Sequence, residues 1–314
     1  MPYAQLRLEP KEEQPMTTRT ESLNRNSPSM KTASPLSMTQ VPSLAAEMSC
    51  SKGDSPRSGQ LIINADDWGL DRETTEHIYQ CALRKTVSSV SAMVLMEDSE
   101  RAATVARESG IDAGLHLNLT TPFTASNCSA RLAERQREII ACLRRNSFAR
   151  VVFHPLLARS FKYVVEAQLE EFRRLYAAGP ERIDGHHHMH LCSNVVFGGL
   201  LPRGTLVRRN FSFLRGEKGL WNRSYRKFVD SALAKRHRMA DYFFSLPPLT
   251  PRSRLERIVS LANAHTVEVE THPARPGEYQ FLMGDEFLRL TENVRVARRY
   301  SIHPSLRSGK SGHS

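Results

Sequence analysis

The 314-residue chain has an ordinary globular composition, 40% hydrophobic and 25% charged, and is long enough for one large domain or two small ones. Its formal charge is +11, and no run of 18 apolar residues occurs, which excludes a membrane-spanning helix of the usual kind. Five cysteines, odd in number and without a CxxC pair, argue against a disulfide framework or a thiolate zinc site and predict free thiols in a reducing cytoplasm.

Residues 1–57 are rich in Ser, Thr, Pro, Met and Gln, and their apolar residues follow no period, so a disordered leader is expected. The leader has no apolar h-region and carries early glutamates, and so reads neither as a secretory signal nor as a transit peptide. Order is expected from about Gln60. LIINA is a short apolar run with a strand's length, ending at Asp66-Asp67. Asp71 offers an N-cap to a helix running to about Lys85. A second strand is predicted over 87–96, a helix over 98–110 closed by Gly110, and a third strand over 112–120. Helical patterns follow at 131–145 and 160–178. Further strands are predicted over 181–191, 205–210, 240–246 and 266–272, with helices over 221–238 and 251–264 between them. Seven strands alternating with helices predict a parallel α/β protein, a closed or nearly closed β/α barrel, with a doubly wound open sheet as the rival. The expected domains are a leader at 1–57, a barrel over 58–305 and a flexible tail at 306–314.

Strand parity identifies candidate chemistry, because side chains alternate faces with period 2. Over 181–191, Asp184, His186, His188 and His190 would share a face. Over 112–120, His116, Asn118 and Thr120 would do so, and over 266–272, Glu268, Glu270 and His272. Each polar row is backed by a mostly apolar one, and a strand flanked by helices has little solvent face, so the polar rows are expected to point into the barrel mouth. Asp66 and Asp67 sit at the C-terminal end of a parallel strand, where such folds build their sites, although an Asp-rich turn before Gly69 would look the same. Four histidines within five residues at 186–190 point to a ligand or proton-transfer role, against the alternative of a surface cluster. One carboxylate and two imidazoles from separate strands make an open metal site, and a second carboxylate beside them can take a proton from water. Residues 203–238 are densely basic, with Arg208, Arg209, Arg223 and Arg236 among them, but no RRM, KH or zinc-finger signature accompanies them. A solvated Arg-rich face and no nucleic-acid partner are expected.

ADDWG (65–69), GLHLNLT (114–120), DGHHHMHL (184–191) and ETHPARPGEY (270–279) resemble, in order and spacing, the motifs of the YdjC-like carbohydrate deacetylases, over roughly residues 60–290. The resemblance implies a seven-stranded, distorted TIM-like β/α barrel, a divalent cation usually taken as magnesium, and hydrolysis of N-acetyl groups on amino sugars. It implies Asp67, His116 and His186 as metal ligands, Asp66 as general base and His272 as the acid that protonates the departing amine. His188, His190, Asn118 and Arg208 are implied around the substrate or behind the ligands. Two imidazoles favour zinc or manganese over magnesium, so those ions stay open. Trp68 replaces the usual Phe, and the segment after the third strand departs from the family pattern. An acetylated sugar on an anionic carrier would suit the charge, and a homodimer stays open. Two other readings remain: a phosphoesterase-like metal hydrolase, which the arginines would suit, and a non-catalytic basic binding protein.

Overall fold

The structure is a computed structural model and describes residues 59–145, 147–212 and 220–300. The expected leader and the 306–314 tail lie outside the described residues. Seven parallel strands form one curled sheet: β1 (Gln60–Trp68), β2 (Ser89–Ala92), β3 (Ala113–Leu117), β4 (Arg182–Gly185), β5 (Leu206–Val207), β6 (Tyr242–Ser245) and β7 (Thr266–Thr271), in the order β5-β4-β3-β2-β1-β7-β6. This is the expected seven-stranded β/α barrel. The two edge strands are not joined by a ladder. Their seam is bridged by Val207 N–H to the Arg238 carbonyl (2.8 Å) and Ser212 N–H to the Phe243 carbonyl (2.7 Å). Around the sheet lie α1 (Arg72–Leu83), α2 (Ser99–Ser109), α3 (Ala130–Arg145), α4 (Ala158–Tyr176), α5 (Ser193–Val196), α6 (Leu220–Ala234), α7 (Arg252–Leu261), α8 (Pro276–Met283) and α9 (Asp285–Thr291). α5, α8 and α9 have no counterpart among the expected elements. No helix among the described residues is long and apolar enough to cross a membrane.

The two faces of the sheet are sorted by polarity. Leu61, Ile63, Ala65, Val90, Leu115, Leu117, Ile183, Val207, Val267 and Val269 face outward and pack under the helices in two apolar clusters. The alternate residues, Asn64, Asp66, Ser89, Ser91, His116, Arg182, Asp184, Glu268 and Glu270, are buried but belong to neither cluster. They fill the barrel interior. The hydrophobic effect therefore acts on the outside of the sheet, and the period-2 pattern is strong because both faces are buried for different reasons. Helix ends follow their sequence signals. The Asp71 side chain accepts from Thr74 N–H at 2.8 Å to cap α1, and Gly110 closes α2 in the left-handed region at φ 68°.

Two local departures from regular geometry shape the C-terminal end of the barrel. The β1–β2 register shifts between Ala65 and Trp68, and Asp67 takes φ 72°. A short polar residue tolerates that conformation, and the bulge turns Asp67 out of simple alternation. The second departure corrects the expected strand over 181–191. β4 stops at Gly185, and His186–Leu191 form a 3₁₀ turn in which His187 and His188 both have positive φ, 53° and 59°. The histidines therefore do not share one strand face with Asp184; the chain folds back across the strand end. Gly185 makes that reversal possible, because a Cβ there would lie 2.8 Å from the His190 backbone nitrogen. Gly185→Ala is expected to lower stability by about 1–3 kcal/mol through overpacking, and to misplace His186, read as a fall in denaturation midpoint with unchanged slope.

Candidate active site

All the expected site residues that lie on strands cluster at the C-terminal ends, the functional end of a β/α barrel. β1 supplies Asp66 and Asp67, and β3 supplies His116. His186 stands just past β4, Arg208 just past β5, and His272 just past β7. His116 is 1% exposed and is the hinge of the upper layer. Its Nδ1 donates to Asp184 Oδ1 at 2.7 Å, which aims Nε2 at Asp67 Oδ1 (3.3 Å) and Asp66 Oδ2 (4.0 Å). His186 Nδ1 donates to Asp67 Oδ1 at 2.8 Å. Burial opposes charge on Asp67, but hydrogen bonds from His116 and His186 outweigh it and hold the carboxyl well below its usual range. Burial also opposes charge on His116, yet Asp66 and Asp184 overcome it and raise the imidazole to about 10.

Two groups of donors lie close enough to hold one cation: Asp67, His116 and His186, and Asp66, His116 and Asp184. They are not equivalent. In the second, both carboxylates are already engaged by Arg208. In the first, Asp67 and His186 are half-buried and face the open end, and neither is engaged by a cationic side chain other than histidine. Donors about 2.1 Å from an ion and at right angles sit about 3.0 Å apart, close to the separations here. The Asp184 contact behind His116 also fits, since a carboxylate on the far ring nitrogen fixes the tautomer of a ligating histidine.

Beneath this layer lies Arg208, 1% exposed. Its guanidinium reaches Asp66 through two bonds (2.6 and 2.7 Å), Glu268 (2.7 Å), Asp184 (3.0 Å) and Glu270 (3.4 Å), and stacks 4.9 Å over the Phe243 ring. The expectation of a solvated arginine face fails at this residue. Arg209 is partly exposed and pairs with Asp230 of α6 at 2.9 Å. Burial raises the carboxyl of Glu268 above its ordinary range; burial, then the nearby Asp66 charge, raises that of Glu270 further. Below Arg208, the Tyr300 hydroxyl donates to Glu268 Oε2 (2.5 Å), and Arg182 stacks on the Tyr300 ring at 4.8 Å.

The remaining histidines divide. His190 Nε2 donates to the Arg208 carbonyl (2.9 Å), and its burial lowers it to about 4. His188 stands 3.6 Å from Glu270 and edges onto Phe211 and Phe243; burial, then Arg208, keeps it neutral. His187, one of the four clustered histidines but given no individual role by the resemblance, meets Thr120 Oγ1 at 2.9 Å and is lowered to about 4 by burial and then His186. Asn118 spends its side chain on its own turn, donating to the Thr121 carbonyl (2.7 Å) and accepting from Thr120 and Thr121 N–H. The turn carrying His272 is held by Glu278, which accepts from His272 N–H and the Thr271 hydroxyl, both at 2.8 Å. His272 Nδ1 is buried without a hydrogen-bond partner among the described residues. Sequence reasoning missed Glu278 and Tyr300, and it saw Glu268 and Glu270 only as members of a polar row.

A family model of YdjC-like proteins matches residues 60–293, and the chain belongs to that family. Among individual relatives, a carbohydrate deacetylase from Mus musculus is 31% identical over 144 residues, 43% of this chain and 44% of that one. A chitooligosaccharide deacetylase from Proteus mirabilis is 30% identical over 142 residues, 43% of this chain and 51% of that one. A carbohydrate deacetylase from Clostridium beijerinckii is 24% identical across 68% of this chain and 81% of its own. The chain spans about half the length of the first two. In fold it is similar to an Enterococcus faecalis protein named for cellobiose-phosphate cleavage, with TM-score 0.53 and 17% identity over 76% of this chain and 97% of that one.

Arg208→Met would strand several buried carboxylates without a counter-charge. It is expected to cost about 3–5 kcal/mol near neutral pH. The orphaned carboxyls would titrate higher in the folded than in the unfolded state, so the deficit should shrink as pH falls. Denaturant unfolding of both proteins at several pH values checks this.

Proposed function

We propose that the protein is a divalent-metal-dependent hydrolase that removes N-acetyl groups from an amino sugar or acetylated glycan. The observation that carries the reading is the convergence of Asp67, His116 and His186 on one point at the open barrel end, with Asp66 beside them. Family membership and the deacetylases among the relatives support it. Asp67, His116 and His186 would hold the cation, which would supply Lewis acidity toward the acetyl carbonyl and a water. Asp66 is the general base that accepts the water's proton. Arg208 holds both Asp66 oxygens, so the carboxylate cannot rotate away, and Asn64 Nδ2 adds a bond at 2.8 Å. His272, on a turn fixed by Glu278, delivers a proton to the departing amine. Deacetylation leaves free acetate and the amino sugar. Two nitrogen donors favour zinc or manganese over magnesium as the ion.

The phosphoesterase alternative drew on the arginines. Arg208 is enclosed by carboxylates and Arg209 is paired with Asp230, so neither presents a free guanidinium to a phosphate. Among the described residues, nothing at the site favours that reading.

Amine release from acetylated mono- and oligosaccharides, with magnesium, zinc and manganese added in turn to chelated protein, tests the proposal. Asp66→Asn is expected to lower the rate about 10²–10⁴-fold while retaining the metal, whereas His116→Ala should weaken metal binding. Full activity in Asp66→Asn would remove Asp66 from the mechanism.

A second expectation concerns His116. Its imidazole, raised to about 10, is protonated in the metal-free protein at neutral pH, and a cation needs its Nε2 lone pair. Uptake should release about one proton and strengthen roughly tenfold per pH unit below that value. Calorimetric titration in buffers of different ionisation enthalpy measures it; heats independent of buffer would contradict it.

A further inference from the structure

The segment joining α3 to α4 has a character unlike the rest of the surface. Between Glu138 and Glu166 the chain carries Arg144, Arg145, Arg150, Arg159 and Lys162 and no carboxylate. The same stretch exposes Phe148 (68%), Val152 (53%), Phe153 (40%) and Leu156 (97%). Scattered exposed apolar residues are normal; five large ones within nine positions, Val151 (37%) included, on a stretch whose own charged residues are all cationic, are not.

Its place in the fold matters equally. α3 and α4 pack against each other, and α4 leads down to the start of β4, so their connection lies at the C-terminal end of the barrel. Direct contacts confirm the position. Arg144 donates to the Thr120 carbonyl, and Thr120 meets His187. The Ser193 hydroxyl bonds the Val151 carbonyl. His154 and Asn194 exchange two bonds, at 2.9 and 3.0 Å, next to the histidine turn. The backbone of this apolar stretch is therefore anchored while its side chains project outward.

We infer that residues 144–145 and 148–162 form a docking surface for an anionic lipid bilayer, seated beside the mouth of the site. Apolar side chains that enter the headgroup boundary and arginines that meet lipid phosphates or carboxylates are the two elements of interfacial binding, and both are present on one anchored stretch. Lys162 pairs with Glu166 at 3.8 Å and Arg144 is engaged by Thr120, but the exposed Arg145, Arg150 and Arg159 leave the surface positive and commit it to a negatively charged occupant. A second copy of this chain would bring these like charges against one another. The inference does not depend on the reaction proposed above, since vesicle binding is read without turnover.

The test is co-sedimentation of the full chain with vesicles of phosphatidylcholine and phosphatidylserine at about three to one, against phosphatidylcholine alone. Binding to the anionic vesicles is expected, weakened by high salt. The exposed pair Phe148→Ser with Leu156→Ser, and separately Arg145→Glu with Arg159→Glu, should each lower it at least about tenfold while thermal unfolding is unchanged. Equal binding to both vesicle types, or anionic binding that survives both variants, would overturn the inference. So would a wild-type dimer in sedimentation analysis that Phe148→Ser with Leu156→Ser dissolves, because the patch would then be covered by a second copy. Amine release from a soluble acetylated sugar, followed in parallel, separates failure of docking from failure of the proposed reaction.

Discussion

One guanidinium organises the interior of this barrel. Arg208 reaches four carboxyl groups from three strands: Asp66 on β1, Asp184 on β4, and Glu268 and Glu270 on β7. Four acids this close cannot all ionise in a low-dielectric interior. The structure resolves the conflict by dividing them. Asp184 is held below its ordinary range, opposed by burial but favoured by Arg208 and His116. Glu268 and Glu270 are pushed up, which leaves them able to hold protons. Because the guanidinium is planar and its donors are fixed, it sets the orientation of each group as well as its charge. Replacing it by lysine would keep the charge and lose the fork that grips both oxygens of Asp66.

The rest of the site is stacked on this layer. Asp184, bonded to Arg208 at one oxygen, accepts from His116 at the other and so aims His116 toward Asp67. Asp67 leaves the strand alternation through its positive φ, which lets neighbouring carboxyl groups serve different partners: Asp66 faces down to Arg208 and Asp67 faces the histidines. The functional layer is thus built on strand ends and one tight turn, which are more rigid supports than long loops. Apolar packing outside the sheet and polar packing inside it are separate tasks carried by alternate residues of the same strands.

Much of this was legible in the residues before any coordinates. All seven strands were found because outward positions such as Leu61, Ile63, Leu115 and Val267 are apolar, while their inward neighbours are polar. Parity placed His116, Asp184, Glu268 and Glu270 on one interior surface. What escaped had physical causes. Two successive histidines in left-handed conformation carry little sequence signal, since positive φ is uncommon for any residue other than Gly, so the 186–190 run read as a strand. Arg208 was among the expected site residues, but its grip on four carboxyl groups was not legible, because it lies just past a strand only two residues long, too short for alternation to tell inside from outside. Glu278 and Tyr300 act through contacts made only after the chain has turned back on itself, which local patterns do not record.

Tyr300 has a consequence for how the molecule is made. Its backbone nitrogen bonds Asp112, 188 positions earlier, and its hydroxyl completes the bonding of Glu268. During synthesis the early strands emerge well before residue 300, yet the acid cluster lacks its last neutral donor until that residue returns to the barrel floor. Completion of the acid cluster is therefore tied to a long-range closure, and a nascent chain stalled short of it would carry helices and strands around an unfinished centre.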